Sequence, residues 1–467
     1  MFVGREAEMN TLEKLYKKGE FQLVVLYGRR RVGKTTLINK FIETKPNIFF
    51  VAQEANDYIN LEMFSSRIYE FFGMPLTMGG FKTWYDAFDY LANKAMEKRF
   101  ILVIDEFPYA VEENHSIKSI LQNVIDHKLK NTNMFVILCG SHMSFMENEV
   151  LGYKSPLFGR RTAQIRLEGF DYIDSSTLLS NYSNEDKVKY YGCIGGTPHY
   201  LAQIDQNESF ESNIKDLYFN ISGYLYDEPM MLLQQELREP AMYNSIISAI
   251  ASGCSRLNEI STKINEESSK TVKYLNTLIG LRIIYKEYPF GEDIASSRKG
   301  VYRISDLCFS FWYRYVFPNK QGIEQGVGDI IAETEAFPKL SDYIGKPPFE
   351  EICRQYLIRQ NRMGNLPFAA TSFGCWWGND SKENKQADID VIAANKNDKK
   401  IIIGECKWKN QFNDVGEIKK LMDKTYLIPG YQEYYFMFFS KVPFSTGAKK
   451  LEKETPNLKL LELDMLF

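Results

Sequence analysis

Gly28-Arg-Arg-Arg-Val-Gly-Lys-Thr35 is the stretch that decides the fold. Its glycines, lysine and threonine follow the pattern G-x-x-x-x-G-K-[ST] at every fixed position. The apolar run 21–27 before it predicts a strand, and the run 36–43 behind it predicts a helix. A glycine-rich loop between a strand and a helix turns its backbone N–H groups inward, where they can bind phosphate oxygens. The sequence therefore predicts a nucleoside triphosphate site.

Nucleotide binding is assigned to the whole loop and to the first residue behind it. The Lys34 ammonium is expected to reach the β- and γ-phosphates, and the Thr35 hydroxyl is expected to bind Mg²⁺. The candidate nucleotide-binding residues are Gly28, Arg29, Arg30, Arg31, Val32, Gly33, Lys34, Thr35 and Thr36.

A second apolar run, 100–104, ends in two acids, Asp105 and Glu106. Downstream of a phosphate loop, this pattern is typical of the strand that brings carboxylates to the phosphates. Asp105 is expected to hold Mg²⁺ through its water shell, and Glu106 is expected to polarise the attacking water as a base. The sequence thus predicts hydrolysis as well as binding.

Two further features follow along the chain. A third strand, 134–140, ends at Ser141, which would sit beside the γ-phosphate and sense hydrolysis, unless it is an ordinary strand-end serine. The segment 155–161 ends in Arg160 and Arg161, and an arginine near the phosphates stabilises the charge that develops in transfer. Arg160 or Arg161 is therefore a candidate arginine finger, and the sequence leaves open whether it acts within the chain or on a second copy.

With 44% apolar and 25% charged residues, the composition is ordinary for a soluble globular protein. A length of 467 residues predicts several domains. The formal net charge of −3 gives no global attraction to nucleic acid, so contact with DNA would need local basic patches. The seven cysteines include no Cys-x-x-Cys pair and predict reduced thiols rather than disulfides or a zinc site. With no apolar stretch of about 20 residues and no signal peptide, a cytoplasmic chain without membrane contact is expected.

Together these motifs resemble the archaeal-type ATPases, which are P-loop proteins related to the AAA+ and STAND classes. The resemblance covers nearly the whole chain and rests on Phe2-Val-Gly-Arg-Glu6, the loop, Asp105-Glu106, Gly140-Ser141 and Gly195-Gly-Thr-Pro-His-Tyr-Leu201. It implies ATP rather than GTP, with Mg²⁺ as the second cofactor. It also implies that Val3 and Arg5 lie near the adenine and that Pro198 lies near the nucleotide at the start of a helical lid.

The middle of the chain predicts a winged helix-turn-helix. Three helical runs, 245–250, 257–264 and 268–281, precede two alternating segments that would pair as a β-hairpin. The basic residues placed to contact DNA phosphates are Lys263, Lys270 and Lys273 near the recognition helix, and Arg298 and Lys299 at the tip of the hairpin. The alternative is a module that packs within the protein as a lever and touches no DNA.

The prolines and glycines of 318–345 predict a linker. Beyond this segment the chain carries a second group of carboxylates. Glu350 lies in a helical run, and the segments 387–393 and 400–408 predict two strands joined by a turn. Residues two apart on a strand face the same side, so Asp388 should point with Asp390, and Glu405 with Lys407. Two carboxylates can hold Mg²⁺, and a neighbouring lysine can stabilise charge on a phosphate.

This pattern is similar to the PD-(D/E)XK nuclease superfamily. The resemblance implies catalytic roles for Glu350, Asp390, Glu405 and Lys407, with Asp390 and Glu405 as the metal ligands. The sequence departs from the pattern in having no proline before Asp390 and in having Asp388 where Glu is frequent. A degenerate domain that binds without cutting is the alternative.

The predicted fold class is α/β. We expect a P-loop ATPase core with a parallel sheet at 1–170, a helical lid at 171–238, a winged helix at 239–317, a linker at 318–345 and a PD-(D/E)XK (restriction-endonuclease-like) domain at 346–467. The expected function is Mg²⁺-dependent ATP hydrolysis that controls the winged helix and the nuclease-like domain on DNA. The alternative is a STAND-type signalling switch, in which ATP drives assembly with partner proteins and the C-terminal domain is inactive. Candidate partners are ATP, DNA and a second copy of the chain.

Overall fold

The computed structural model describes residues 2–75, 77, 79–237 and 239–467. The described chain forms two compact units. The first comprises the residues up to Gly169 together with Thr197–His199, and the second comprises Phe170–Gly196 and Tyr200–Phe467. The first unit thus ends one residue before the predicted end of the ATPase core.

The first unit is a parallel sheet covered by helices. Its strands are β1 (Gln22–Tyr27), β2 (Asn47–Val51), β3 (Ile101–Asp105), β4 (Phe135–Gly140) and β5 (Ala163–Arg166). Its helices are α1 (Glu6–Lys17), α2 (Lys34–Ile42), α3 (Asp57–Phe72), α4 (Trp84–Glu97), α5 (Phe107–Glu113), α6 (Ser116–His127) and α7 (Met143–Phe145). The described strands lie in the order β2-β3-β4-β1-β5, and all neighbours are parallel. The predicted parallel sheet is confirmed.

The strand order positions the site. β1, β3 and β4 are buried along their whole length because apolar side chains on both faces pack under helices. β4 lies between β1, which leads into the loop, and β3, which ends in Asp105. The carboxyl ends of parallel strands meet at one edge, where open α/β sheets bind their ligands. The loop, the two acids and Ser141 are therefore neighbours.

Beyond residue 170 the chain is at first mostly helical. The helices are α8 (Tyr172–Thr177), α9 (Asn184–Ile194), α10 (Pro198–Leu201), α11 (Phe210–Tyr218), α12 (Glu228–Glu236), α13 (Pro240–Ala251), α14 (Leu257–Lys263) and α15 (Ser268–Gly280). An antiparallel hairpin of β6 (Ile284–Glu287) and β7 (Val301–Ile304) follows. Serine side chains cap α9 and α11 by accepting hydrogen bonds from backbone N–H groups of the first helical turn. The three helices and the hairpin predicted within 239–317 are thus present as elements.

The predicted linker at 318–345 is wrong. The segment forms α17 (Lys320–Glu324), α18 (Gly328–Ile331) and α19 (Leu340–Gly345) after α16 (Leu307–Phe311), with π-helical turns between. Tyr343 is buried and its hydroxyl donates to the Gly192 carbonyl at 3.0 Å and lies 3.3 Å from the Leu307 carbonyl. A Cβ on Gly328 would lie 1.8 Å from the Phe219 carbonyl oxygen, so this glycine permits close packing. The glycines here serve packing between helices instead of flexibility.

The C-terminal part of the second unit is a mixed sheet. After α20 (Pro348–Arg362) come β8 (Ser372–Asp380), β9 (Lys385–Asn395), β10 (Lys400–Lys407), α21 (Asp414–Asp423), β11 (Glu433–Ser440), α22 (Thr446–Glu454) and β12 (Leu458–Glu462). In the described chain the order is β12-β11-β10-β9-β8, with β8 at one edge. β8, β9 and β10 are antiparallel neighbours, and β10, β11 and β12 are parallel ones. The predicted pairing of β9 with β10 is present.

Two sequence expectations concern the chain as a whole. The cysteines, all within the described ranges, form no disulfides. No helix within the described ranges combines the length and the apolar character needed to cross a bilayer.

Candidate functional site

The phosphate loop runs from the end of β1 to the start of α2. The Lys34 ammonium folds back over it and donates to the carbonyl oxygens of Gly28 at 2.8 Å and Arg29 at 3.0 Å. Burial of its side chain lowers the pKa of Lys34, although the negative charges of Glu106 and Asp105 act to raise it. A buried ammonium whose hydrogen bonds go to neutral carbonyls retains strong attraction for an anion that enters the loop.

Thr35 and Asp105, the two residues predicted to hold Mg²⁺, are in contact. The Thr35 hydroxyl donates to Asp105 Oδ2 at 2.9 Å, although the residues come from α2 and β3. A hydroxyl and a carboxylate oxygen at this separation are hard oxygen donors, and Mg²⁺ bound with nucleotide phosphates uses such donors. The donor set therefore fits Mg²⁺, which would offset phosphate charge at this position.

Glu106 is held by Ser141. The Glu106 carboxylate accepts hydrogen bonds from the Ser141 backbone N–H at 3.1 Å and from its hydroxyl at 2.9 Å. The Glu106 backbone has φ of 49°, which is unusual for a residue with a side chain. Ser141 was expected beside the γ-phosphate, but its hydroxyl contacts the candidate base. The serine therefore orients the carboxylate next to Asp105.

Other residues brace the loop from outside. The Arg5 guanidinium donates to the carbonyl oxygen of Val32 at 3.0 Å and to that of Glu168 at 2.6 Å, so it ties the loop to the end of β5. Arg30 donates to the Tyr109 hydroxyl at 2.9 Å, which links the loop to α5. The Tyr109 contact was not predicted, because the residue belongs to no motif of its own.

The Gly-Gly-x-Pro segment also approaches the loop. Its residues Thr197–His199 belong to the first unit. Burial and the positive charge of Arg31 lower the pKa of His199, which places this imidazole near the loop. Pro198, which the resemblance puts near the nucleotide, precedes it directly.

The structure does not bring Arg160 to the loop. The Arg160 guanidinium donates to Asp126 at 2.8 and 3.1 Å, and Asp126 lies at the last turn of α6. Thr162, two residues on, donates its N–H to the Leu23 carbonyl near the start of β1. Because a strand rises about 3.3 Å per residue, Leu23 lies about 13 Å from Tyr27, where the loop begins. Arg160 is therefore at the opposite edge of the sheet and is excluded as a finger within its own chain.

Replacing Arg160 by alanine should lower stability without weakening nucleotide binding. Hydrogen bonds from Arg160 and Lys130 lower the pKa of Asp126 to about 2 in the folded chain, against about 3.9 when unfolded. The ionised Asp126 therefore stabilises the fold at a pH above about 3.9, and this contribution is lost as the pH falls toward 2. We expect R160A to reduce the free energy of unfolding by about 1 kcal/mol at pH 7. Denaturant titration measures this change, and a tenfold loss of ATP affinity in R160A would contradict this placement.

A second cluster of charged residues lies on β9, β10 and α20. Asp390 Oδ2 accepts from the Cys406 N–H at 2.8 Å, and Lys407 Nζ donates to Glu405 Oε1 at 2.6 Å. Asp390 and Glu405 are 7% and 9% exposed, and Glu350 of α20 is 17% exposed. The structure thus brings together Glu350, Asp390, Glu405 and Lys407, as the sequence predicts.

The carboxylates of this cluster repel one another. Burial, with the neighbouring charges of Glu405 and Glu350, raises the pKa of Asp390 well above its usual range. Burial also raises the pKa of Glu350. Mutual repulsion of buried carboxylates is the condition that a bound cation relieves.

Two lysines that the sequence analysis did not identify lie beside these carboxylates and offset part of their negative charge. Lys346 Nζ lies 3.1 Å from Glu350 Oε1 and 3.1 Å from Asp388 Oδ2. Lys424 Nζ lies 3.1 Å from Glu405 Oε2, on the side away from Lys407. The spacing of four residues between Lys346 and Glu350 at a helix start was the one local signal for the first contact. Lys424 is distant from Glu405 in the sequence, so no local pattern indicated their contact.

The fit of this cluster to a metal ion is weaker than that of the nucleotide site. Within the described ranges, no three His, Cys, Asp or Glu side chains are arranged to hold a metal ion. Asp390 and Glu405 offer oxygen donors on adjacent strands, and Lys346 Nζ lies 3.9 Å from Asp390 Oδ1. Divalent metal binding at Asp390 and Glu405 therefore requires Lys346 to move, which its 52% exposure permits.

Comparisons with known proteins concern both the segment with the phosphate loop and the segment with the second cluster. A family model described as an ATPase domain predominantly from Archaea matches residues 2–204, and one described as archaeal and bacterial proteins of unknown function matches residues 312–419. The chain is 33% identical over 470 residues to the uncharacterized protein MJECL04 of Methanocaldococcus jannaschii, and the match covers 99% of each chain. An uncharacterized ATP-binding protein of the same archaeon is 53% identical over 45 residues, or 10% of this chain and 76% of that one.

The fold is shared with a solved structure of an archaeal protein. The Walker-type ATPase of Pyrococcus abyssi has a TM-score of 0.53 and 21% identity, and covers 67% of this chain and 96% of its own. The chain therefore contains an archaeal-type P-loop ATPase domain, and this part of the sequence prediction is confirmed. Residues 312–419 include Glu350, Asp390, Glu405 and Lys407 of the second cluster.

Proposed function

The chain belongs to the same protein family as the Methanocaldococcus jannaschii relative that it matches from end to end, and on this premise we propose that it is a Mg²⁺-dependent ATPase. The observation that carries the proposal is the contact of Thr35 with Asp105 beside the Glu106–Ser141 pair. This contact would bring a magnesium ligand pair and an oriented base together at the mouth of the phosphate loop.

The roles follow from these contacts. Lys34 would leave the loop carbonyls for the β- and γ-phosphates, and backbone N–H groups of 28–35 would bind the remaining phosphate oxygens. Mg²⁺ would offset the charge that develops in phosphoryl transfer. Glu106 would accept a proton from the attacking water, and Ser141 would keep its carboxylate aimed at that water.

Hydrolysis of ATP by the purified chain tests this proposal. We expect phosphate release that needs Mg²⁺ and stops when EDTA is added. A chain that binds ATP but releases no phosphate, alone or with DNA, would instead support the signalling-switch alternative. In that case ATP-dependent assembly, measured by size-exclusion chromatography with light scattering, is the expected behaviour.

For the second unit we propose nuclease chemistry on DNA. The proposal is supported by the convergence of Asp390, Glu405 and Lys407 on paired strands with Glu350 beside them. Asp390 and Glu405 would hold a divalent cation, and Lys407 would offset charge on the scissile phosphate. Lysines of α14 and α15, namely Lys263, Lys270 and Lys273, are exposed and would contact the DNA backbone. The elements from α13 to β7 would then act as a winged helix.

D390N and K407A should each reduce Mg²⁺-dependent DNA cleavage by about 100-fold or more, because each removes a metal ligand or a charge next to the phosphate. D423N and K419A are matched controls, since both residues are exposed on α21, and they should cut like the wild type. Gel assays with labelled DNA at equal protein concentration measure the rates. Cleavage that survives in D390N would show that a different site, or a contaminant, cuts the DNA.

A further inference from the structure

The β6–β7 hairpin continues into the loop 288–300, which lies on the C-terminal sheet. The Phe290 N–H donates to the Cys375 carbonyl at 2.8 Å, so the loop pairs with β8, the edge strand of the sheet. At its other side the hairpin is tied to the helices, because the Tyr302 N–H donates to the Ser255 carbonyl at 2.7 Å. The hairpin therefore connects the helices α13–α15 to the sheet that carries the second cluster.

Apolar packing supports this pairing. The Phe290 ring packs against the core of the C-terminal sheet, together with Trp376. A Cβ on Gly374 would lie 3.1 Å from the Phe290 ring, so the absent side chain leaves room for it. An aromatic ring seated over a glycine of an edge strand covers that strand and blocks its pairing with other chains.

Charges join the hairpin to α20. Arg303 of β7 is paired with Glu287 of β6 and lies 5.9 Å from the Trp377 ring. Glu287 also attracts Arg354 of α20, and Arg303 attracts Glu350 one turn earlier on that helix. The hairpin therefore places a guanidinium beside an acid of the second cluster.

The second cluster is closed in this arrangement. Glu350, Asp390 and Glu405 are too deeply buried for a nucleic-acid phosphate to contact them directly. Arg303 on the hairpin and Lys346, two residues before α20, are cations whose charges act on Glu350. Access to the carboxylates therefore requires part of this cover to move.

We propose that the hairpin and its loop are a latch that holds the second cluster closed and that nucleic-acid phosphates release it. The loop carries Arg298 and Lys299, which are exposed, and Lys299 is paired with Glu292 of the same loop. Phosphates that bind these cations would draw the loop away from β8, because phosphate contacts and strand pairing use the same short segment. Opening toward a substrate rests on the proposed nuclease function, whereas docking does not.

Docking is tested by cross-linking positions 290 and 374 in the double variant F290C/G374C. A Cβ placed on Gly374 lies 3.7 Å from the Phe290 Cβ, which is a separation that a disulfide spans. F290C/G374C should form a disulfide on copper-catalysed oxidation, in which the two thiols lose two electrons and two protons to the oxidant. I294C/G374C places the first cysteine at an exposed residue of the same loop and is the matched control. Peptide mapping without reductant that finds no link between 290 and 374, or an equal link between 294 and 374, would overturn the docking.

The latch itself is tested by hydrogen–deuterium exchange. F290A should raise the exchange rate of the amides at 372–378 by about tenfold relative to wild type, because the edge strand loses its cover. F412A removes a ring of the same size from the same core away from the hairpin, and should not produce this local change. DNA added to the wild type should raise exchange at 372–378 in the same way. Unchanged exchange there in F290A, or with bound DNA, refutes the latch.

Cleavage separates the two proposals. If both hold, F290A cuts DNA faster than wild type, and oxidised F290C/G374C cuts more slowly until reductant is added. Faster exchange in F290A without any cleavage supports the latch and refutes the nuclease. Cleavage that is equal in wild type, F290A and oxidised F290C/G374C refutes the latch and supports the nuclease.

Discussion

K34A is expected to lower the affinity for ATP by about 100-fold or more. The Lys34 ammonium is buried within the loop and donates hydrogen bonds to the carbonyl oxygens of Gly28 and Arg29, so turning to the phosphates breaks hydrogen bonds to neutral acceptors. Each hydrogen bond from a charged donor to phosphate contributes about 1.5–3 kcal/mol, and about 1.4 kcal/mol corresponds to tenfold in affinity. Fluorescence titration with a labelled ATP analogue measures the loss.

K40A is the matched control for this experiment. Lys40 lies on the same helix, α2, but is half exposed and paired with Glu43 at 2.7 Å. We expect K40A to bind ATP like the wild type. Unfolding of both variants is followed in parallel, because K34A also removes the bonds to the Gly28 and Arg29 carbonyls. Wild-type affinity in a folded K34A would show that the nucleotide binds elsewhere.

E106Q is expected to reduce the rate constant of ATP hydrolysis by about 100- to 1,000-fold while ATP affinity changes by less than threefold. Loss of a general base typically has an effect of this size, and glutamine keeps the shape needed for the contacts with Ser141. Single-turnover hydrolysis and equilibrium binding, measured on the same preparation, separate the two quantities.

E113Q controls for the change of charge. Glu113 is exposed at the last residue of α5, the helix that follows Glu106. Hydrolysis by E113Q should equal that of the wild type. If E106Q hydrolysed ATP at the wild-type rate, the general base would have to be another residue. The proposal that Ser141 orients the base would then also be wrong.

The sequence was sufficient for those parts of the site that local pattern determines. The loop at 28–35 lies between a strand and a helix that are adjacent in sequence, so its conformation follows from short-range order. The acids at 105 and 106 were identified because they end a buried strand. The contact of Glu106 with Ser141 depends on β3 and β4 being neighbours, and that order is a property of the whole sheet.

The errors also have physical causes. Arg160 was placed near the phosphates from its position after the third strand, but the chain first returns to the amino end of β5. The segment 318–345 resembled a linker because proline and glycine usually mark loops. Here Gly328 allows two backbones to approach, and Tyr343 anchors α19 by hydrogen bonds to distant carbonyls. Neither close approach nor long-range anchoring leaves a local pattern.

The second cluster was predicted by its strand residues and completed by contacts between distant elements. The pattern of acids on β9 and β10 follows from alternation along a strand. The lysines at 346 and 424 and the guanidinium of Arg303 come from other elements. The docked hairpin could not be foreseen either, because edge-strand pairing between Phe290 and Cys375 joins segments far apart in sequence.

Calorimetric titration of the folded wild-type chain with Mg²⁺ and ATP tests the central claim most directly, namely that the amino-terminal loop binds a magnesium-bound triphosphate. We predict saturable heat for one ATP per chain, with a dissociation constant in the micromolar range and loss of this heat in K34A. The absence of any binding heat at millimolar ATP, on material whose cooperative unfolding shows that it is folded, would contradict the account.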